Sequence, residues 1–135
     1  MKKSVEVSTS HDTPSLYTVL SDPSFVLPRL FPPIKEVKID GNSFDANGRF
    51  MLMGFHMHGN VIRGEEIIYA FHLSAGGGKG DGRLTVRVGS PVHLTFEYEG
   101  WMERTSEIAF MDRWFRDFAE KLDEEVRMER IRRRI

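Results

Sequence analysis

The chain contains no cysteine, no glutamine and only three asparagines. Without cysteine there is no disulfide framework, no thiolate nucleophile and no thiolate metal ligand. That fits a reducing, cytoplasmic setting. The scarcity of amides, beside 29% charged residues, leans toward a heat-adapted source. An excess of one charge is missing too. The net charge is -1, so nothing draws the whole surface toward nucleic acid or an acidic membrane. No apolar run approaches the ~20 residues that cross a bilayer, so no stable membrane insertion is expected. The opening MKKSVEVSTSHD is polar and alternating and lacks the apolar centre of a secretory signal. No serine sits in a G-x-S-x-G elbow, and the acids fall on wet faces, turns or a helix exterior.

The chain has 135 residues, 40% of them hydrophobic. That suits one domain with a substantial core. Residues 2–11 alternate, with Val5 and Val7 opposite Ser4 and Glu6, and read as a strand. DTPSLYTVLSDP follows, with Asp12 or Thr13 as helix cap and Pro14 in the first turn. Leu16, Val19 and Leu20 share its inner face, and Asp22-Pro23 ends it. SFVLPRLFPP reads as a second short helix with Pro28 near its start, stopped by Pro32-Pro33.

The middle is β. IKEVKID alternates, then RFMLMGFHMH, EEIIYAFHLS, GRLTVRVG and PVHLTFEYEG follow, each rich in β-branched or aromatic residues. Gly41-Asn42 and Asn47-Gly48 are hairpin signals, the second the stronger. Short connections predict an antiparallel meander. From about Glu103 the period becomes helical: Ile108, Met111, Phe115, Phe118, Leu122 and Val126. Asp112/Arg116, Asp117/Lys121, Asp123/Arg127 and Glu129/Arg133 are opposite charges four apart. One helix of about 30 residues spans ~45 Å. RMERIRRRI ends the chain, its five arginines complementing the helix dipole before residues 128–135 fray. No linker, repeat or second domain interrupts residues 1–135.

One stretch could suggest a nucleotide site. SAGGGKGDGR, residues 74–83, surrounds one lysine with five glycines. A phosphate loop leads into a helix, whose N–H groups and dipole hold the anion. This one lies between two strand patterns, and Lys79 is followed by Gly80 rather than Ser or Thr. It reads as a mobile, solvated hairpin connection.

The element order is strand, two short helices, about six further antiparallel strands and a long terminal helix. With TPSLYTVLSDPSFVLPRLFPPIKEVKID as opening and FMDRWFRDFAEKLDEE as closing helix, the chain resembles the START/Bet v 1-like, polyketide cyclase-like helix-grip superfamily. Within it the chain looks most like an archaeal branch. The resemblance covers about Val5 to Val126. It implies an α+β fold, a curved antiparallel sheet of about seven strands wrapped around the C-terminal helix, with a cavity between them for an apolar ligand. It does not name the ligand, because members differ in function.

Strand alternation proposes the cavity wall without that resemblance. Met51, Met53, Phe55 and Met57 share one face. Ile67, Tyr69, Phe71 and Leu73 share the next. Leu84, Val86 and Val88, then Val92, Leu94, Phe96 and Tyr98, continue it. The helix adds Met111, Phe115, Phe118 and Leu122. Tyr69 and Tyr98 carry hydroxyls on this apolar face, where each needs a partner. Phe50 and Leu52 fall on the face expected to be wet. That marks either an apolar patch for self-association as a homodimer or a reversed parity.

His56 and His58 stand about 7 Å apart on one strand face, with His72 on the neighbouring strand and His11 and His93 isolated. Two residues of clear geometry do not make the three or four converging ligands of a metal site. So no metal and no other cofactor is expected, and no catalytic residue is assigned. The sequence is therefore read as a non-enzymatic binder or carrier of a hydrophobic or amphipathic small molecule, lipid or fatty acid-like. The competing readings are a cyclase- or hydrolase-type enzyme using a histidine or tyrosine in the same cavity, and an interaction module with a filled core.

Overall fold

In the computed structural model, residues 1–103 and 108–135 are described. The order is β1 (Lys2–Val7), α1 (Thr13–Leu20), α2 (Pro23–Leu30), β2 (Ile34–Asp40), β3 (Ser43–Phe50), β4 (Met53–Arg63), β5 (Ile67–Ala75), β6 (Gly78–Arg87), β7 (Val92–Gly100) and α3 (Ile108–Arg133). The seven strands form one antiparallel sheet in the order β1-β7-β6-β5-β4-β3-β2. This is the α+β helix-grip architecture expected from the sequence. One face is apolar and faces α3; the other is wet.

The two short helices share a device. Asp12 caps α1 by accepting from Ser15 N at 2.9 Å, and Asp22 caps α2 by accepting from Ser24 N at 3.0 Å. Leu16, Val19 and Leu20 are buried as expected. Pro28 is not near the start of its helix. The helix α2 starts five residues earlier at Pro23, capped by Asp22, so Pro28 lies inside it, with no N–H to offer the carbonyl of Ser24.

One hairpin falls where expected and two do not. Gly41, at φ 61°, makes the β2–β3 turn. Asn47-Gly48 makes no turn. It lies within β3, paired to His56 and Phe55. The chain reverses instead at Met51 and Leu52, with φ 51° and 67°. RFMLMGFHMH is therefore the end of one strand, a turn and the start of another. The parity puzzle of Phe50 comes from this: Phe50 closes β3 and packs inward. Nor is SAGGGKGDGR a mobile loop. Gly78–Gly82 pair as the start of β6, and only Gly76 and Gly77 separate the strands.

The helix α3 ends in ion pairs rather than fraying. Glu129, buried, accepts from Arg132 and from Arg133 Nε at 2.6 Å. Arg133 also reaches Asp22 Oδ2 at 2.5 Å, and Arg130 reaches Asp12 at 3.4 Å. Of the expected helix pairs, Asp112/Arg116 and Glu129/Arg133 form. Arg127 instead pairs with Glu124, three residues back, at 2.6 Å. His11 is not isolated; its ring meets the carbonyl of Asp123 at 3.1 Å and Arg130 at 3.0 Å. The helix start expected near Glu103 runs into residues 104–107, outside the described residues.

Hydrogen bonding from Arg132, then the charges of Arg133 and Arg132, outweighs burial and holds the Glu129 carboxyl at about 2. The folded value is depressed, so the tie stabilises fully above the ordinary 4.5 and fades as pH falls from there toward 2. Urea unfolding across that window should show the loss. In Glu129→Gln this part of the acid dependence should disappear.

Candidate functional site

The concave face of the sheet and α3 enclose one apolar interior. Phe55, Met57, Ile67, Tyr69, Phe71, Leu84, Val86, Leu94, Phe96 and Tyr98 are buried there, as are Met111, Phe115, Phe118 and Leu122 of the helix. Each strand contributes alternate residues, so the period-two pattern places them on one wall. Phe115 stacks on Phe96 at 5.6 Å, which seats the helix on the sheet. Met51 and Met53 do not belong to this wall. Met51 lies in the β3–β4 turn and Met53 directly after it, 70% and 43% exposed, beside Leu52 at 92%.

The glycines of β6 shape the wall. Gly78, Gly80 and Gly82 face inward on alternate positions. Side chains there would collide with the Trp101 ring at 2.7 Å, the Tyr98 hydroxyl at 2.0 Å and the Phe71 ring at 2.2 Å. Three aromatic residues thus lie directly on backbone. The residues that read as a phosphate loop are a shelf for rings.

The two tyrosines have different surroundings. Tyr69 donates to the carbonyl of Leu20 at 2.6 Å, so it ties the end of α1 to the sheet and is satisfied. The buried Tyr98 hydroxyl has no hydrogen-bond partner among the described residues. Burial, then the charges of Asp81 and Glu103, raise its ionisation well above the ordinary tyrosine value. It is therefore a neutral hydroxyl.

The open end of the grip lies where the β3–β4 and β5–β6 turns meet the β7–α3 connection. Aromatic rings close it. Phe50 meets Phe110 at 5.0 Å and Trp114 at 5.2 Å; Trp114 meets Phe31 at 6.2 Å; Phe55 meets Trp101 at 6.1 Å. Apart from Phe110, these rings border a void of about 10 Å³, bounded also by Leu73, Met102 and Met111. That is about one water in size. A second concavity, about 170 Å³, runs between α2 and α3 over Phe118 and Leu122, rimmed by Arg29, Lys121 and Glu125. A larger depression, about 380 Å³, lies over Ser4, Glu6, Arg87, His93 and Thr95. It is on the polar outer face and open to water.

The sequence reading missed Phe31, Phe50, Trp101, Met102 and Trp114 at this end. Trp114 was within reach: it stands three residues after Met111 on the same helix face. Trp101 and Met102 lie in the β7–α3 connection, which carries no period to read.

No histidine faces the interior. His56 pairs with Asp45 at 3.0 Å and His72 with Asp81 at 2.6 Å, both on the outer face with His58 between them. His93 faces Glu6 at 3.5 Å on the same side. Among the described residues no three such groups could hold one metal ion. Among the described residues no helix is long and apolar enough to cross a membrane.

A curved antiparallel sheet gripping a long helix around an apolar interior defines a helix-grip protein. A family model that fits this architecture spans residues 1–135, and the chain belongs to the START/Bet v 1-like superfamily. Among solved structures it is similar to a hypothetical protein from Sulfolobus tokodaii, with 28% identity and a TM-score of 0.72 over 98% of this chain and 99% of that one. It is also similar to a START superfamily protein from Mycobacterium smegmatis, with 15% identity and a TM-score of 0.62 over 95% and 97%. A third is the di-domain ARO/CYC StfQ of the steffimycin biosynthetic pathway, with 11% identity and a TM-score of 0.64 over 98% of this chain and 47% of that one. The last two likenesses are of fold alone. No curated protein matches by sequence.

Proposed function

We propose that the protein binds an apolar or amphipathic small molecule, of lipid-like or aromatic character, between the sheet and α3, without chemical conversion. The observation that carries this reading is the ring cluster at the open end. Phe50, Trp101 and Trp114, only partly buried, line the small void at that end, and Phe110, 39% exposed, packs on Phe50. Side-chain rotation can move such rings while the sheet ladder and the α3 hydrogen bonds stay intact. Burial of the ligand's apolar surface then drives binding at ~25 cal/mol per Å².

Native mass spectrometry of protein purified without detergent, with solvent extraction of the same sample, tests this. The expected result is an extractable apolar compound, or uptake of an apolar fluorophore with a change in tryptophan emission. Trp114→Ala should speed uptake several-fold by removing part of the closure. The 10 Å³ void favours the filled-core interaction module as the second reading. A bare protein whose tryptophan emission no apolar probe alters would establish that reading instead.

A further inference from the structure

We propose that Tyr98 determines the specificity of this interior: its hydroxyl donates to an uncharged oxygen of the ligand, such as a ketone or ester, and the site discriminates against a free carboxylate. The inference rests on the binding reading above and adds the chemistry of the polar end.

Tyr98 is 2% exposed and its hydroxyl meets no partner among the described residues. Buried polar atoms left this way are rare, because desolvation goes uncompensated. Among the described residues one other buried side-chain atom is unpaired, Asp123 Oδ1, and it at least has His11 Nε2 at 3.6 Å. Tyr69, on the neighbouring wall, shows what a purely structural tyrosine does in this fold: it takes a backbone carbonyl. Tyr98 instead projects over Gly80, into space that any side chain there would fill. Leu73, the cross-strand partner of Gly80, and Trp101 beyond it both line the void at the open end. A ligand displacing the rings there comes up against this hydroxyl.

The charges nearby decide what it accepts. Among the described residues, Asp81 and Glu103 are the charges that act on the hydroxyl, and both are negative. The Met1 ammonium is held by the Tyr98 carbonyl at 2.9 Å and Glu103 at 3.6 Å. A carboxylate beside Tyr98 would lose its hydration and face two like charges. A ketone or ester oxygen only has to accept one hydrogen bond. The surrounding rings, Phe71 stacked on Tyr98 at 6.5 Å and on Phe96 at 6.3 Å, suit a planar skeleton.

Three probes of one skeleton test this: methyl naphthyl ketone, naphthoate and ethylnaphthalene, titrated against tryptophan emission. The wild type should bind the ketone ~tenfold more tightly than either of the others. In Tyr98→Phe the ketone should fall to the level of the hydrocarbon, whose own affinity stays unchanged. A melting curve controls for folding, and Tyr98→Phe should melt no lower than the wild type because it removes an unpaired hydroxyl. A ketone preference that survives in Tyr98→Phe, or a preference for naphthoate, overturns the role of Tyr98 while leaving binding in place. Failure of all three probes to bind the wild type overturns the binding reading, and this inference with it.

Discussion

Alanine in place of Gly59 should destabilise the protein by about 3–5 kcal/mol, measured by urea unfolding. Gly59 sits in β4 opposite Phe71. A methyl group there would lie 2.0 Å from the carbonyl oxygen of Ala70, 2.8 Å from the Cα of Phe71 and 3.0 Å from the carbonyl carbon of Ala70. All three atoms are backbone, so no side-chain rotation gives relief. On a flat sheet a Cβ points away from the neighbouring strand. Here it would point into it, so the sheet coils sharply at Gly59. One extra carbon must part β4 from β5 or flatten that coil, which disturbs Phe71 and the wall around it. Gly82 makes a useful comparison, since its neighbour at 2.2 Å is the tip of the Phe71 ring, a side chain that can swing. A loss below about 1 kcal/mol in Gly59→Ala would show that the strands yield easily, contrary to this account.

The second large effect has the opposite sign. Met51→Asn together with Leu52→Gly should stabilise the protein by about 2 kcal/mol. Both residues hold positive φ, as a two-residue hairpin turn that follows the twist of its strands requires. Methionine and leucine pay for that conformation with a clash between Cβ and the following carbonyl, roughly 1–2 kcal/mol per residue. Both side chains are largely exposed, so little packing is lost when they go. An unchanged urea midpoint in the double variant would mean that the turn is not strained.

The same turn shows where local signals stop. Asn47-Gly48 is the favoured pair for such a turn, yet it lies four residues too early. Gly48 is needed inside β3, because a Cβ there would sit 2.2 Å from the carbonyl oxygen of Pro33 and 2.8 Å from the Phe55 ring. Packing against the segment that leaves α2 claims this glycine, and the reversal falls on residues with no propensity for it. A similar exchange explains residues 74–83. Glycine every second residue looked like a loop. Its period is that of a strand, and the reason for it, three aromatic side chains lying on the backbone, belongs to residues elsewhere in the chain.

The wall of the interior was readable wherever alternation was unbroken. Ile67, Tyr69, Phe71 and Leu73 on β5, and Leu94, Phe96 and Tyr98 on β7, face inward because a strand turns over at every residue. The helical period placed Met111, Phe115, Phe118 and Leu122 by the same kind of rule. Met51 was misplaced because alternation was carried through a turn, whereas Met53 keeps the parity of Phe55 and Met57 but stands at the exposed end of β4.

By itself the sequence determined the class of fold, the order of its elements and most of the apolar wall. These follow from periodicity and capping, which act between residues close along the chain. Only the tertiary structure decided which tyrosine was satisfied, where the sheet turned and what closed its open end. The Leu20 carbonyl that serves Tyr69 is 49 residues away. The space that leaves Tyr98 unserved is made by Gly80. Such pairings depend on how strands and helices curve together, and no local pattern encodes that.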